Sequence, residues 1–289
     1  MNVTTLGRIE REAPVSDLDL RTTRLSQMIR EAGAIARAAF EDPVLLRMKG
    51  PQDFLTETDA QVENHLRARI AADFPEDGFL GEEGGGTLAD ELWVVDPIDG
   101  TANFARRIPH YCISIAFVSH GIIEIGAIYD PSHDELYLAR RGGGATLNGK
   151  PIAVSRTSEA SAACVELGWS TRVANDVYFD VLRKISDGGA NVRRAATGAL
   201  GLAYVADGRS DAYGELHMQP WDCLAGLLLV EEAGGRVCDF LSDGGLDGGG
   251  PVLATCPGMA DRMSAATGIA LKRQAAERGR TVLRQTGST

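Results

Sequence analysis

In the run Leu92-Trp93-Val94-Val95-Asp96-Pro97-Ile98-Asp99-Gly100-Thr101, an unbroken apolar segment ends in two carboxylates three residues apart. The apolar part reads as a buried strand that delivers acids at its tip. Pro97 fixes φ at the bend between them, so Asp96 and Asp99 can turn toward one point. Hard divalent cations favour such a tip, because Mg²⁺ takes oxygen ligands from a few carboxylates, a carbonyl, waters and substrate phosphate. Gly100 lets backbone approach a ligand closely, and Thr101 offers a hydroxyl and an N–H at a candidate helix start, which suits phosphate. Taken alone, the same string is also compatible with a plain turn carrying an Asp cap.

Outward from this run, the first half reads as mixed α and antiparallel β. Behind Ser16, Leu25, Ile29, Ala32, Ile35, Ala39 and Phe40 recur at helical spacing. Thr58 with Gln61 reads as a capping box for a second helix striped by Val62, Leu66, Ile70 and Phe74 and ended by Pro75. Tyr111 to Val118, Ile122 to Tyr129 and Glu135 to Ala139 read as a meander, with Asn148-Gly149 as a hairpin turn before a strand over Ile152 to Val154. The second half alternates. It offers a strand near Cys164 to Gly168, helices over 174–186 and 198–207, an extended Asp211 to Glu215, and an apolar helix from Asp222 to Ala233 stopped by Gly234-Gly235. Val237 and Val252 to Ala254 read as short closing strands.

A chain of 289 residues is about two average domains long, yet no repeat or low-complexity linker divides it. The expectation is one domain over 16–265, with subdomains near 16–155 and 156–265, followed at 266–289 by a helix end and a polar basic tail. With 44% hydrophobic and 24% charged residues, a disordered, collagen-like or coiled-coil chain is excluded. The net charge of −11 argues against a broad nucleic-acid or anionic-membrane footprint, so neither partner is expected. A phosphorylated ligand would need local positive charge, for which metal cations are the candidate. The 5 cysteines are scattered without a CxxC pair, which suggests neither a disulfide framework nor a zinc site and fits a reducing cytoplasm. No secretory n- and h-region and no long apolar span is present.

Other acids and near-motifs admit plain readings one by one. Glu82 and Glu83 sit in a Gly-rich turn, Asp59 near a helix start, Asp222 at a possible N-cap, and Glu215 at a strand end. Gly144 to Lys150 nearly spells a phosphate-cradling loop, but Pro151 stands where Ser or Thr is required and the stretch reads as a hairpin. The 5 histidines show no paired metal spacing.

Order and context make the acids informative together. Asp53-Phe-Leu-Thr56-Glu57-Thr58-Asp59, Gly81-Glu82-Glu83, Asp96-Pro97-Ile98-Asp99-Gly100-Thr101-Ala102-Asn103-Phe104, and Trp221-Asp222 with Ala225-Gly226 through Glu232-Ala233-Gly234-Gly235 follow one another along the chain. From about Leu25 to Gly258 the chain resembles the inositol monophosphatase family of Mg²⁺-dependent, lithium-sensitive phosphatases. The resemblance implies an α+β fold, a layered αβαβα sandwich, with the site between its halves. It implies two or three Mg²⁺ ions held by Glu82, Asp96, the Ile98 carbonyl, Asp99 and Asp222. Glu82, Asp59 and Thr101 would be catalytic, the last two orienting the attacking water. Ile98, Asp99, Gly100 and Thr101 would hold the phosphate, and Ala196, Thr197, Gly198 and Glu215 the polyol. Relatives commonly carry glycine where this chain has Ala196.

The implied activity is hydrolysis of a small phosphate monoester of a polyol or sugar, inositol monophosphate first, by a homodimer. Histidinol phosphate, fructose 1,6-bisphosphate and adenosine 3′,5′-bisphosphate are the alternatives within the fold. A reading of another class is a regulatory binding partner of the transcription machinery.

Overall fold

The computed structural model describes residues 16–41, 47–50, 53–55, 57–242 and 244–272. Thr56 and the basic tail over 273–289 lie outside the described residues. The first half runs α1 (Asp17–Glu41), β1 (Arg47–Gly50), β2 (Asp53–Leu55), α2 (Glu57–Asp73), β3 (Gly78–Gly81), β4 (Gly85–Thr87), β5 (Glu91–Asp99), α3 (Thr101–Ala105), β6 (Cys112–Ser119), β7 (Ile122–Asp130), β8 (Glu135–Arg140), β9 (Gly144–Leu147) and β10 (Lys150–Pro151). The second runs β11 (Cys164–Leu167), α4 (Asn175–Asp187), β12 (Asn191–Arg193), α5 (Gly198–Ala206), β13 (Ala212–Met218), α6 (Pro220–Glu232), β14 (Arg236–Val237), α7 (Gly245–Gly248), β15 (Gly250–Thr255) and α8 (Ala260–Thr267).

Five layers result, the α+β sandwich that the resemblance implies. Helices α1 and α2 cover one face of an eight-stranded sheet ordered β10-β9-β8-β7-β6-β5-β3-β4. Helices α5 and α6 lie between it and a five-stranded sheet ordered β12-β11-β13-β15-β14, against which α4 and α8 pack. β1 and β2 form a separate ribbon.

The apolar run in β5 is continuous because both faces of that strand are covered. Successive side chains point to opposite faces. Trp93 and Val95 enter the core beneath α1 and α2 with Leu25, Ile29, Val62 and Leu66. Leu92 and Val94 enter the core between the sheets with Leu200, Leu224 and Leu253. Between the two sheets Arg209, in the turn after α5, reaches β8 and donates from both terminal nitrogens to the two Glu135 oxygens at 2.6 Å each. Such a bidentate fork fixes geometry as well as charge.

Several expected boundaries move, each for a local reason. Helix α2 begins at Glu57, so Thr58 lies buried inside its first turn and forms no capping box with Gln61. The hairpin at Asn148-Gly149 is present, with φ of 49° and 76° at its two central residues. Its second strand is Lys150–Pro151 and not Ile152 to Val154: the Ile152 N–H still bonds the Ala145 carbonyl at 3.0 Å, but the Val154 N–H turns to the Ala233 carbonyl at 3.1 Å. Helix α6 begins at Pro220, two residues before the expected start, and proline is well tolerated in the first turn of a helix.

Candidate functional site

Three elements, β3, β5 and α6, bring carboxylates to one place at the seam between the sheets. The pairing of β5 with β6 is irregular between Asp96 and Asp99, where Pro97 withholds a donor. Asp96 is 1% exposed, and its Oδ1 accepts the Ile98 N–H at 2.9 Å. Strand β3 runs parallel to β5 with Gly81 opposite Val95, and the Glu82 N–H donates to the Val95 carbonyl at 3.2 Å. That bond sets Glu82 beside Asp96. Asp99 Oδ2 accepts the Ala199 N–H from the first turn of α5 at 2.6 Å. Asp222 is the third residue of α6. It is therefore not the N-cap, which is Gln219, and its Oδ2 accepts the Gln219 N–H at 3.3 Å in a capping box.

Like charges in a desolvated place resist ionisation. Burial, then the charges of Glu82, Asp99 and Asp222, push the Asp96 carboxyl far above the usual carboxylate range. Burial pushes Asp99 up to about 7 against the lowering effect of the Ala199 N–H. Burial together with Asp99 and Glu215 pushes Asp222 up to about 8. Asp96 hydrogen-bonds both Glu82 and Asp222. Among the described residues no three His, Cys, Asp or Glu side chains are spread as a ready-made chelate, since these acids bond one another. The donor set nevertheless fits a hard divalent cation. It is all oxygen, and its mutual repulsion is what such a cation relieves.

Beside the carboxylates, Asp59 on α2 is fully buried, and the Thr101 hydroxyl lies 3.1 Å from its Oδ1 and 3.0 Å from the Ile98 carbonyl. Gly100 precedes α3 at φ 91°, where a Cβ would meet Thr197 Oγ1 at 2.6 Å. Thr197 is 4% exposed and donates to the His110 carbonyl at 3.0 Å. Ala196 holds φ 62°, a left-handed conformation that favours glycine. A glycine at that position would adopt this backbone without strain. Glu215, on β13, lies close enough to Asp222 to raise it electrostatically.

A model of the inositol monophosphatase family matches residues 17–278. The chain belongs to that family. It is 37% identical over 250 residues to the protein named Nus factor SuhB of Salmonella typhimurium, covering 81% of this chain and 94% of that one. It is 40% identical over 211 residues to an inositol-1-monophosphatase of Rhizobium meliloti, covering 71% of this chain and 77% of that one. Among solved structures, the extragenic suppressor protein suhB of Bartonella henselae superposes with a TM-score of 0.79 at 31% identity, over 85% of this chain and 97% of that one. Membership places the chain among phosphatases acting on small phosphorylated compounds. Among the described residues no helix is long and apolar enough to cross a membrane.

Three residues beside the acid cluster have supporting roles that the sequence reading does not assign, although Asn103 stands in the motif from Asp96 to Phe104. Glu63 on α2 accepts the Glu83 and Gly84 N–H groups at 2.8 and 2.9 Å and pairs with Arg67 at 2.9 Å, anchoring the loop that carries Glu82. Asn103 donates to the carbonyls of His110 at 2.8 Å and Ala195 at 3.0 Å, tying α3 to the segment ahead of α5. Tyr213 donates to Glu215 at 2.6 Å. Glu63 and Asn103 reach partners as far away in sequence as Gly84 and Ala195, whereas Tyr213 bonds its near neighbour Glu215. The available signals were the i,i+4 spacing of Glu63 from Asp59 and the i,i+2 spacing of Tyr213 from Glu215.

Proposed function

We propose that the protein is a Mg²⁺-dependent phosphatase of a small phosphate monoester, with inositol monophosphate as its substrate. The observation that carries this reading is the convergence of Glu82, Asp96, Asp99 and Asp222 from the end of β3, the tip of β5 and the first turn of α6, three of these acids pushed far toward neutrality by burial and mutual charge. Glu82, Asp96, Asp99, Asp222 and the Ile98 carbonyl would hold Mg²⁺, which when bound neutralises phosphoryl oxygens and acidifies water.

The chain's own groups do the remainder. The Asp59 carboxylate and the Thr101 hydroxyl orient the attacking water, and Asp59 accepts its proton through that hydroxyl. The Gly100 and Thr101 N–H groups hold the phosphate. Ala196, Thr197, Gly198 and Glu215 face the polyol, whose hydroxyls donate to the Glu215 carboxylate. No covalent nucleophile is needed.

Phosphate release from inositol monophosphate should vanish in excess EDTA and return with Mg²⁺ but poorly with Ca²⁺, which prefers longer and looser coordination. Lithium should inhibit. Full activity in excess chelator would overturn the mechanism. The similarity to a protein named Nus factor SuhB favours a second reading, a regulatory partner of the transcription machinery. Pull-downs with wild type and Asp96→Asn separate the two, because a binding role survives loss of the carboxylate and hydrolysis does not.

A further inference from the structure

Tyr213 and Glu215 stand two apart on β13, on the same face of the strand. Tyr213 is 3% exposed, and its Oη donates to Glu215 Oε2 at 2.6 Å. Among the described residues no hydrogen bond reaches Oε1. Burial, then the Glu215 charge, hold the phenol far above its usual range, so it stays a donor throughout the physiological interval.

Glycines from two elements make room for the pair. A Cβ at Gly168, just beyond β11, would fall 1.9 Å from Glu215 Oε2 and 2.6 Å from Tyr213 Oη. A Cβ at Gly201 on α5 would meet the Tyr213 ring at 2.5 Å, and one at Gly198 would meet Oη at 3.1 Å. The ring therefore lies flush against the helix whose first turn gives its Ala199 N–H to Asp99. One side chain thus touches the polyol-facing carboxylate and braces the helix that serves the acid cluster.

We infer that Tyr213 is a positioning residue for substrate selection: by holding Oε2 it aims Oε1 of Glu215 at the hydroxyls of the leaving group. The inference rests on the polyol reading above. Burial pushes the Glu215 carboxyl up to about 7 and the Tyr213 hydroxyl holds it down, so without the phenol the carboxyl turns freely and protonates more readily. Part of the hydrogen bond to the substrate is then lost, and bonds involving a charged partner are strong enough to change affinity about tenfold to a hundredfold.

The test compares kcat/KM for inositol monophosphate with that for p-nitrophenyl phosphate, whose leaving group has no hydroxyls for Glu215 to accept. Tyr213→Phe should lower this ratio about tenfold, mainly through KM for the polyol ester. Glu215→Gln should lower it too, and the double variant should be no lower than Glu215→Gln alone, since both changes remove one interaction. Gly168→Ala keeps the phenol in the chain but drives a Cβ into both Glu215 Oε2 and Tyr213 Oη, and so disrupts the same contact from β11. It should lower the ratio as well, and it keeps the question answerable if Tyr213→Phe folds poorly.

A retained ratio in both Tyr213→Phe and Gly168→Ala, or losses that multiply in the double variant, overturns the positioning role. If the ratio responds to Glu215→Gln but not to Tyr213→Phe, only the role of Tyr213 falls. If it does not respond to Glu215→Gln either, the polyol reading falls and takes this inference with it.

Discussion

Thr101 opens α3, but the cap position before it is Gly100, and no side-chain cap bond is made there. Its hydroxyl instead lies between the buried Asp59 carboxylate and the Ile98 carbonyl. A group that only capped a helix would cost about 1 kcal/mol when removed and would leave turnover alone. A group that orients the attacking water would cost at least ~10²-fold in kcat. Thr101→Ala is therefore expected to lower kcat by at least ~10²-fold with little change in melting temperature, and Thr101→Ser to retain most activity. Near-normal turnover with a lowered melting temperature would show that the hydroxyl serves the fold.

At the scale of elements, α2 supplies both Asp59 and Glu63, and through Glu63 it holds the loop bearing Glu82. Groups that orient a metal ligand from behind typically change metal affinity by about 10–100-fold when altered. Glu63→Gln replaces one accepting oxygen by a donor facing the Glu83 or Gly84 N–H. The Mg²⁺ concentration for half-maximal activity should rise by about tenfold, with kcat at saturating Mg²⁺ affected far less. An unchanged Mg²⁺ dependence would separate the loop from metal affinity.

The same helix shows what the sequence could disclose. Its apolar stripe, Val62, Leu66 and Ile70, is legible because burial repeats at helical spacing. So is the buried β5, and so are the acids at its tip, since one strand carries them all. Asp222 is legible as a carboxylate but not as the third residue of α6, because an Asp before an apolar helical run resembles an N-cap as much as the acid of a capping box whose cap is Gln219. The roles of Glu63 and Asn103 are not legible because their partners are distant in sequence, and that of Tyr213 because it depends on burial against α5. Asn103 meets Ala195 only once the two halves are folded together.

At the scale of the whole molecule, a chain of net charge −11 concentrates four acids at the seam between its sheets. The native state holds Asp99 near about 7 and Asp222 near about 8, with Asp96 raised further in direction. An unfolded aspartate titrates near about 4. Between those limits the native state binds more protons than the unfolded one, so stability falls as pH rises through the interval. Protein stripped with EDTA should therefore lose melting temperature steadily from about pH 5 to about pH 8.

Cations compete with those protons for the same oxygens. Added Mg²⁺ should stabilise little at the acid end and most at the alkaline end, where the carboxylates must ionise and binding to the native state alone is worth about 2.7 kcal/mol at a hundredfold excess over Kd. The Mg²⁺-loaded protein should accordingly show a flatter pH profile than the stripped one, with the two curves meeting near about pH 5. Calorimetric melting across this range with and without Mg²⁺ checks it. A stripped protein whose melting temperature climbs with pH would mean that the four carboxylates are already compensated by the fold itself, and the case for a cation at the seam would lose its electrostatic basis.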